Sequence, residues 1–316
     1  MSKPNVLALS GGVGGAKLAL GLAHLLPPEN LTVVANTGDD FTHLGLRICP
    51  DIDTVIYTLS DLADKERGWG RAGETWNFMA ALSRLGSENW FNLGDSDLAM
   101  HIHRTERLKQ GATLSEVTAE IASTLGIKAT VIPMTDDPVA TIVETPDGPL
   151  AFQHYFVRER CQPSVTGFRF EGIEAADPAP IFTKHLENSL DLILVTPSNP
   201  FVSIEPILSL PGVRDKIAKS STPVIAVSPI VGGKAIKGPA AKMMAELGMP
   251  ASALEVARAY RDVIDGFVID VDDEAQVAEI EAIGMKVLVT NTVMNDLDGR
   301  ITLARDCCDF AGVITA

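Results

Sequence analysis

A short apolar run, Val6-Leu7-Ala8-Leu9, ends at Ser10 and gives way to Gly11-Gly12-Val13-Gly14-Gly15-Ala16-Lys17. A second apolar, β-branched run follows at Leu31–Ala35, and between the two Leu18, Leu22, Leu25 and Leu26 recur at helical spacing until Pro27-Pro28 stops them. Strand, helix and strand within about 30 residues make a βαβ unit, whose strands are parallel and whose crossover is right-handed. The unit commits the chain to a parallel sheet covered by helices. It also sets a glycine-rich turn at a helix N-terminus, where unpaired N–H groups and the positive end of the helix dipole favour an anion. Gly11, Gly12, Gly14, Gly15 and Lys17 are therefore candidate phosphate-binding residues. A plain packing role, in which the glycines let the helix approach the sheet closely, accounts for the same residues. The turn is neither a P-loop, since Ala16 precedes Lys17 and Leu18 follows it, nor a dinucleotide fingerprint, since Lys17 stands where a third glycine belongs.

Helical spacing predicts helices over Trp76–Leu85 and Leu114–Leu125, the latter opened by a Thr113/Glu116 capping box, and another beginning near Thr54. Short strand-like runs at Ala129–Ile132, Ala140–Glu144 and Leu150–Phe156, with a Pro146-Asp147-Gly148 turn, predict a small antiparallel section. Apolar runs at Leu192–Val195, Val224–Val227, Phe267–Ile269 and Val287–Val289 return to the opening pattern. The expected fold class is α/β: a Rossmann-like doubly wound parallel sheet with a helical and β-hairpin insertion. One domain spans 1–316, with a core over about 1–60 and 190–316 and an insertion over about 61–189.

With 46% hydrophobic residues the chain supports a sizeable core, while a net charge of −15 argues against a nucleic-acid partner. Cys49, Cys161, Cys307 and Cys308 lack zinc-type spacing and suit a reducing cytoplasm. No apolar window is long enough for a membrane span, and the N-terminal run is too short for a signal peptide.

Polar loops follow most of the expected core strands: Ser10–Gly15, Asn36-Thr37-Gly38-Asp39-Asp40, Thr196-Pro197-Ser198-Asn199-Pro200, Ser228–Lys234 and Thr290-Asn291-Thr292. In an open parallel sheet these share the carboxyl edge, where ligands bind, although turns favour the same residue types. Asp39, Asp40, Asp51 and Asp53 fall close together in sequence. Hard cations such as Mg²⁺ take one or two carboxylates together with substrate phosphates, which makes Asp39 and Asp53 candidate ligands. Helix capping is the alternative for Asp51 and Asp53. His101, His103 and Arg104 are candidate substrate contacts or structural residues, and Trp69 and Trp76 either stack a planar ring or fill the core of the insertion.

Taken together, Ser-Gly-Gly-Val-Gly-Gly-Ala-Lys at 10–17, Asn-Thr-Gly-Asp-Asp at 36–40, Pro-Asp-Ile-Asp-Thr at 50–54, Gly-Trp-Gly at 68–70, Leu-Gly-Asp-Ser-Asp-Leu-Ala at 93–99, Met-Thr-Asp-Asp-Pro at 134–138, Pro-Ser-Asn-Pro at 197–200 and Ser-Pro-Ile-Val-Gly-Gly at 228–233 resemble the 2-phospho-L-lactate transferases of coenzyme F-420 biosynthesis. The resemblance runs along almost the whole chain. It implies a cytoplasmic, magnesium-dependent, homodimeric transferase that joins the deazaflavin FO to a three-carbon acid, using a guanosine diphosphate ester as donor and releasing GMP. The acid is 2-phospholactyl, enolpyruvyl phosphate or phosphoglyceryl. Carried over by position, Asp53 and Asn92 meet FO, with Trp69 as a stacking surface. Asp39 and Asp53 serve the metal and catalysis. Ser198, Asn199, Ser228, Gly232 and Gly233 join the glycine turn on the donor. The competing resemblance is to nucleotide-sugar-binding regulators of bacterial cell-wall metabolism, a binding module without this chemistry.

Overall fold

The computed structural model describes residues 3–315. Seven parallel strands form its centre: β1 (Val6–Ser10), β2 (Leu31–Ala35), β3 (Thr130–Pro133), β4 (Leu192–Val195), β5 (Val224–Val227), β6 (Gly266–Asp270) and β7 (Lys286–Thr290). They lie side by side in the order β7-β6-β5-β4-β1-β2-β3. The chain builds outward from β1 to β2 and β3, then returns to the other side of β1 and builds outward again through β4 to β7. The reversal between β1 and β4 opens a crevice at their carboxyl ends.

Alternation along the strands feeds two apolar layers. Leu7, Leu9, Ile193, Val195, Phe267 and Ile269 point into one, and Val6, Ala8, Leu192, Leu194, Val227 and Val268 into the other. Both faces are buried, which is why the strands read as unbroken apolar runs. The second layer is covered by α1 (Gly12–Leu25), α2 (Pro50–Leu59) and α5 (Leu297–Thr315), named with α3 (Asp95–Lys109) and α4 (Leu114–Thr124). At Gly21 of α1 an added Cβ would sit 2.1 Å from the Arg300 carbonyl oxygen, so glycine is required for α1 and α5 to touch.

The structure shifts three expected elements. Residues 130–133 lie within the expected insertion, yet β3 pairs in parallel with β2, Thr32 opposite Thr130 and Ala35 opposite Pro133, and belongs to the central sheet. The antiparallel section is instead Leu150–Ala151, Ala140–Glu144 and Gly167–Glu171. After Ala151 the chain turns into a wide helical turn over His154–Arg158, which buries Tyr155. Finally, α2 starts at Pro50 rather than near Thr54, because proline suits a first helical position. The Thr113/Glu116 capping box is present on α4.

Candidate functional site

The carboxyl ends of β1, β2 and β4 converge on a buried polar cluster. Asp51, in the first turn of α2, accepts a 2.7 Å hydrogen bond from the Gly12 N–H and a 2.9 Å bond from Asn36 Nδ2. The first free N–H of α1 is thus answered by a carboxylate from the chain itself, so Asp51 caps α1 and not its own helix. Asn36 holds the next loop as well, accepting from the Gly38 N–H at 2.8 Å. The insertion reaches in through Thr141, whose N–H donates to the Gly38 carbonyl at 2.6 Å.

The glycines of the first turn divide by role. A Cβ at Gly14 would lie 2.3 Å from the Pro197 carbonyl oxygen, and one at Gly15 would lie within 2.7 Å of the Ser10, Thr196 and Ser198 hydroxyls. A Cβ at Gly11 would meet Ser203 and Asp51. These three permit close packing between the start of α1 and the loop after β4. Gly12 alone faces open space, with φ +61°. Ser198 is part of that packing: its hydroxyl accepts from the Gly11 N–H (3.1 Å) and donates to the Gly11 carbonyl (2.7 Å). Asn199 caps the turn that follows, accepting from the N–H groups of Phe201 and Val202. Ser228 closes its own loop on Ile230, and the Gly232 N–H donates to Asp273. Lys17 does not fold over the glycine turn; its ammonium donates to the Met294 carbonyl at 3.1 Å.

Asp53, two residues beyond Asp51, is engaged differently. Arg104 of α3, wholly buried, grips both its oxygens, Nη1 to Oδ2 at 3.2 Å and Nη2 to Oδ1. Behind this pair His101 stands between Asp53 and Asp97, 3.7 Å and 3.2 Å away, and Tyr57 donates to Asp97. Of the two histidines weighed from sequence, His101 is buried in this network and His103 is exposed near Glu120.

Charge and burial conflict in the rest of the cluster. Burial, and then the Asp51 and Asp40 charges, push the Asp39 carboxyl well above the carboxylate range. Burial also raises Asp51 to about 6 and Asp40 to about 7, against hydrogen bonds to Asn36 and Gly12 in the first case and the Arg47 charge in the second. Asp39 Oδ1, Asp40 Oδ1, Thr37 Oγ1 and Ser10 Oγ are buried without a partner among the described residues. Unsatisfied polar atoms gathered at one sheet edge mark a place built to receive something. A cleft of about 1060 Å³ at the opposite, amino ends of the strands, between Lys3, Asp191, Thr222 and Arg305, contains none of them.

No cluster of three or more His, Cys, Asp or Glu side chains is disposed to hold a metal among the described residues. Magnesium needs less than that, one or two carboxylates with waters and substrate phosphates. Asp39 fits, with a buried unpartnered oxygen and Asp51 for a neighbour. Asp53 offers less, since Arg104 already balances its charge.

The segment after the Asn36–Asp40 loop and the insertion together form an aromatic group. Phe41, His43, Trp90 and Phe91 pack mostly edge-on or tilted, with centroids 4.9 to 6.1 Å apart, and His43 Nε2 and Trp90 Nε1 lack partners among the described residues. Asn92 is exposed directly after them. Trp69 is half exposed, and the Arg67 guanidinium lies 5.4 Å from its ring and 4.9 Å from that of Trp76, occupying stacking surface expected for a planar ligand. The Leu93–Ala99 motif is a joint: Glu74 accepts from the N–H groups of Ser96 and Asp97 at the start of α3, while Asp95 accepts from those of Asn77 and Phe78.

The pattern of the family described as 2-phospho-L-lactate transferase CofD matches residues 6–299. The chain belongs to that family. Among its relatives, the 2-phospho-L-lactate transferase of Methanosarcina barkeri is 40% identical, over 95% of this chain and 96% of its own. The phosphoenolpyruvate transferase of Streptomyces griseus is 39% identical, over 98% of this chain and 99% of its own. A crystal structure of a UPF0052-family protein from Bacillus halodurans shares the fold, with a TM-score of 0.64 and 14% identity over 96% of this chain and 98% of its own. This CofD-family chain is therefore a transferase with a Rossmann-like core. No helix among the described residues is long and apolar enough to cross a membrane.

Proposed function

We propose that this transferase moves a phosphorylated three-carbon acid from its guanosine diphosphate ester onto the ribityl hydroxyl of the deazaflavin FO. The hydroxyl oxygen forms a bond to the phosphorus next to the acid. The bond from that phosphorus to the bridging oxygen breaks, and GMP leaves with the electron pair while the hydroxyl proton is lost. The observation that carries the reading is the set of unpartnered, buried Ser10, Thr37, Asp39 and Asp40 oxygens at the carboxyl ends of β1 and β2.

Asp39, with Asp51 beside it, would hold Mg²⁺, which when bound offsets phosphate charge and polarises the phosphorus. Asn36 fixes Asp51, and Asp51 in turn fixes the open Gly12 turn. Arg104 keeps the Asp53 carboxylate in one orientation. The Phe41, Trp90 and Phe91 rings, beside Asn92, offer the apolar wall a flat deazaflavin needs. Relatives named for phospholactate and for phosphoenolpyruvate are about equally similar, so all three donors stay in the proposal.

Titration of the protein with FO, followed by deazaflavin fluorescence, tests the acceptor directly. Saturable binding is expected. No response to FO together with tight binding of a UDP-sugar would replace this reading with the regulatory one.

A further inference from the structure

The chain from Phe41 to Ile48 forms a hairpin, with Phe41 paired to Ile48 and His43 to Leu46. It leaves the Asn36–Asp40 loop at one end and runs into the first turn of α2, with Asp51 and Asp53, at the other. Arg47 of the hairpin pairs with Asp40 at 3.2 Å, and its carbonyl accepts from Arg104 at 3.3 Å. The hairpin is thereby fixed to the acidic loops. Two distant segments close on it. Trp90, from the loop before α3, brings its ring centroid to 5.1 Å from that of His43, with 67° between the planes. His154, from the helical turn of the insertion, meets Trp90 in turn at 4.8 Å and 71°.

Packing alone does not account for these side chains. His43 is 3% exposed, yet its Nε2 has no hydrogen-bond partner among the described residues, and neither has the buried Nε1 of Trp90. Phenylalanine at either position would supply an apolar ring without burying an unpaired polar atom. A buried tryptophan N–H normally finds an acceptor, and orphaned nitrogens on adjoining rings call for one. Burial, opposed by the Glu88 charge, holds the His43 ring below its ordinary value, so near pH 7 it is neutral and offers one N–H. Phe41, Trp90, Phe91 and His154 are only part-buried and Asn92 is exposed, so the group keeps a face open to solvent.

We propose that the Nε2–H of His43 and the Nε1–H of Trp90 hold the rim of the acceptor's ring system by hydrogen bonds to its carbonyl oxygens. The inference rests on FO as the acceptor and goes beyond an apolar wall. It makes the site selective for a planar ring with hydrogen-bond acceptors on its edge, and a deazaflavin carries such atoms on its pyrimidinedione side. A pocket built around a hydrogen bond rejects a ligand that lacks it far more strongly than an apolar pocket rejects an extra methylene. Trp90 stands in a stretch, residues 85–94, without helix or strand, which lets its ring turn as the acceptor enters.

The test is fluorescence titration of FO, and calorimetric titration of GDP, with wild type, His43→Phe and Trp90→Phe. Each variant keeps an aromatic ring and loses one N–H. FO is expected to bind each about fivefold more weakly, the loss of one neutral hydrogen bond, while GDP binds as it does to wild type. FO bound equally by wild type and either variant would overturn this proposal alone. So would equal weakening of FO and GDP, the mark of a merely structural role. Wild type that binds no FO overturns the acceptor reading and this proposal together.

Discussion

Replacing Arg104 with methionine probes the most buried ionic contact at the site. Arg104 is 0% exposed and Asp53 6% exposed, and the guanidinium spans both carboxylate oxygens while also donating to the Arg47 carbonyl at 3.3 Å. Methionine keeps much of the apolar stem and removes the charge, leaving Asp53 buried without its partner. Breaking one side of a buried pair costs about 3–5 kcal/mol. With an unfolding entropy of roughly 2 cal/mol/K per residue, a loss near 4 kcal/mol lowers the melting midpoint of a chain this long by about 6 °C. The double variant Asp53→Leu/Arg104→Met removes both charges and is expected to recover more than half of that loss. Scanning calorimetry on wild type, both single variants and the double variant gives the comparison. A methionine variant that melts within about 1 °C of wild type, or a double variant that loses the sum of the singles, would refute the coupling.

Other consequences can be measured separately. Asp39→Asn removes a charge from a site where burial already disfavours it; melting temperature should hold or rise while turnover falls at least about 100-fold, and a stable, fully active variant would remove Asp39 from the chemistry. Gly14→Ala puts a methyl where the Pro197 carbonyl stands at 2.3 Å, so a loss of about 1–3 kcal/mol in urea unfolding is expected. Asp51 and Asp40 have folded-state values near 6 and near 7, above their unfolded 3.8. Their burial is therefore free of penalty below pH 4 and becomes destabilising as pH rises through 6 to 7. Mg²⁺ should accordingly raise the melting temperature at pH values above 7 and have little effect near pH 5; equal shifts at both would contradict a carboxylate site.

The central sheet was legible because both its faces are buried: runs such as Leu192–Val195 are apolar throughout and end in polar loops. The run Ala129–Ile132 reads as part of the small antiparallel section, whereas the strand there, Thr130–Pro133, joins the central sheet; nothing local distinguishes the two. The partner of that strand, β2, lies far back in the sequence, and only the tertiary fold brings them together. The site was legible by region but not by role. Asp51 caps α1 because two helices start side by side, and no pattern in Pro50–Thr54 announces that Gly12 lies opposite. The Arg104 network did leave a trace: Asp97, His101 and Arg104 share one face of α3, and Asp53 and Tyr57 share one face of α2. Charged residues aligned on a buried helix face imply partners, and these two faces meet.

The most direct measurement is a single assay of the purified protein with FO, Mg²⁺ and each candidate guanosine diphosphate ester in turn, with products identified by mass. The account predicts that at least one donor yields FO joined through a phosphodiester to the three-carbon acid, with one GMP released per product and none formed when Mg²⁺ is chelated. FO recovered unchanged with every donor, from protein that is folded and binds GDP, would contradict it.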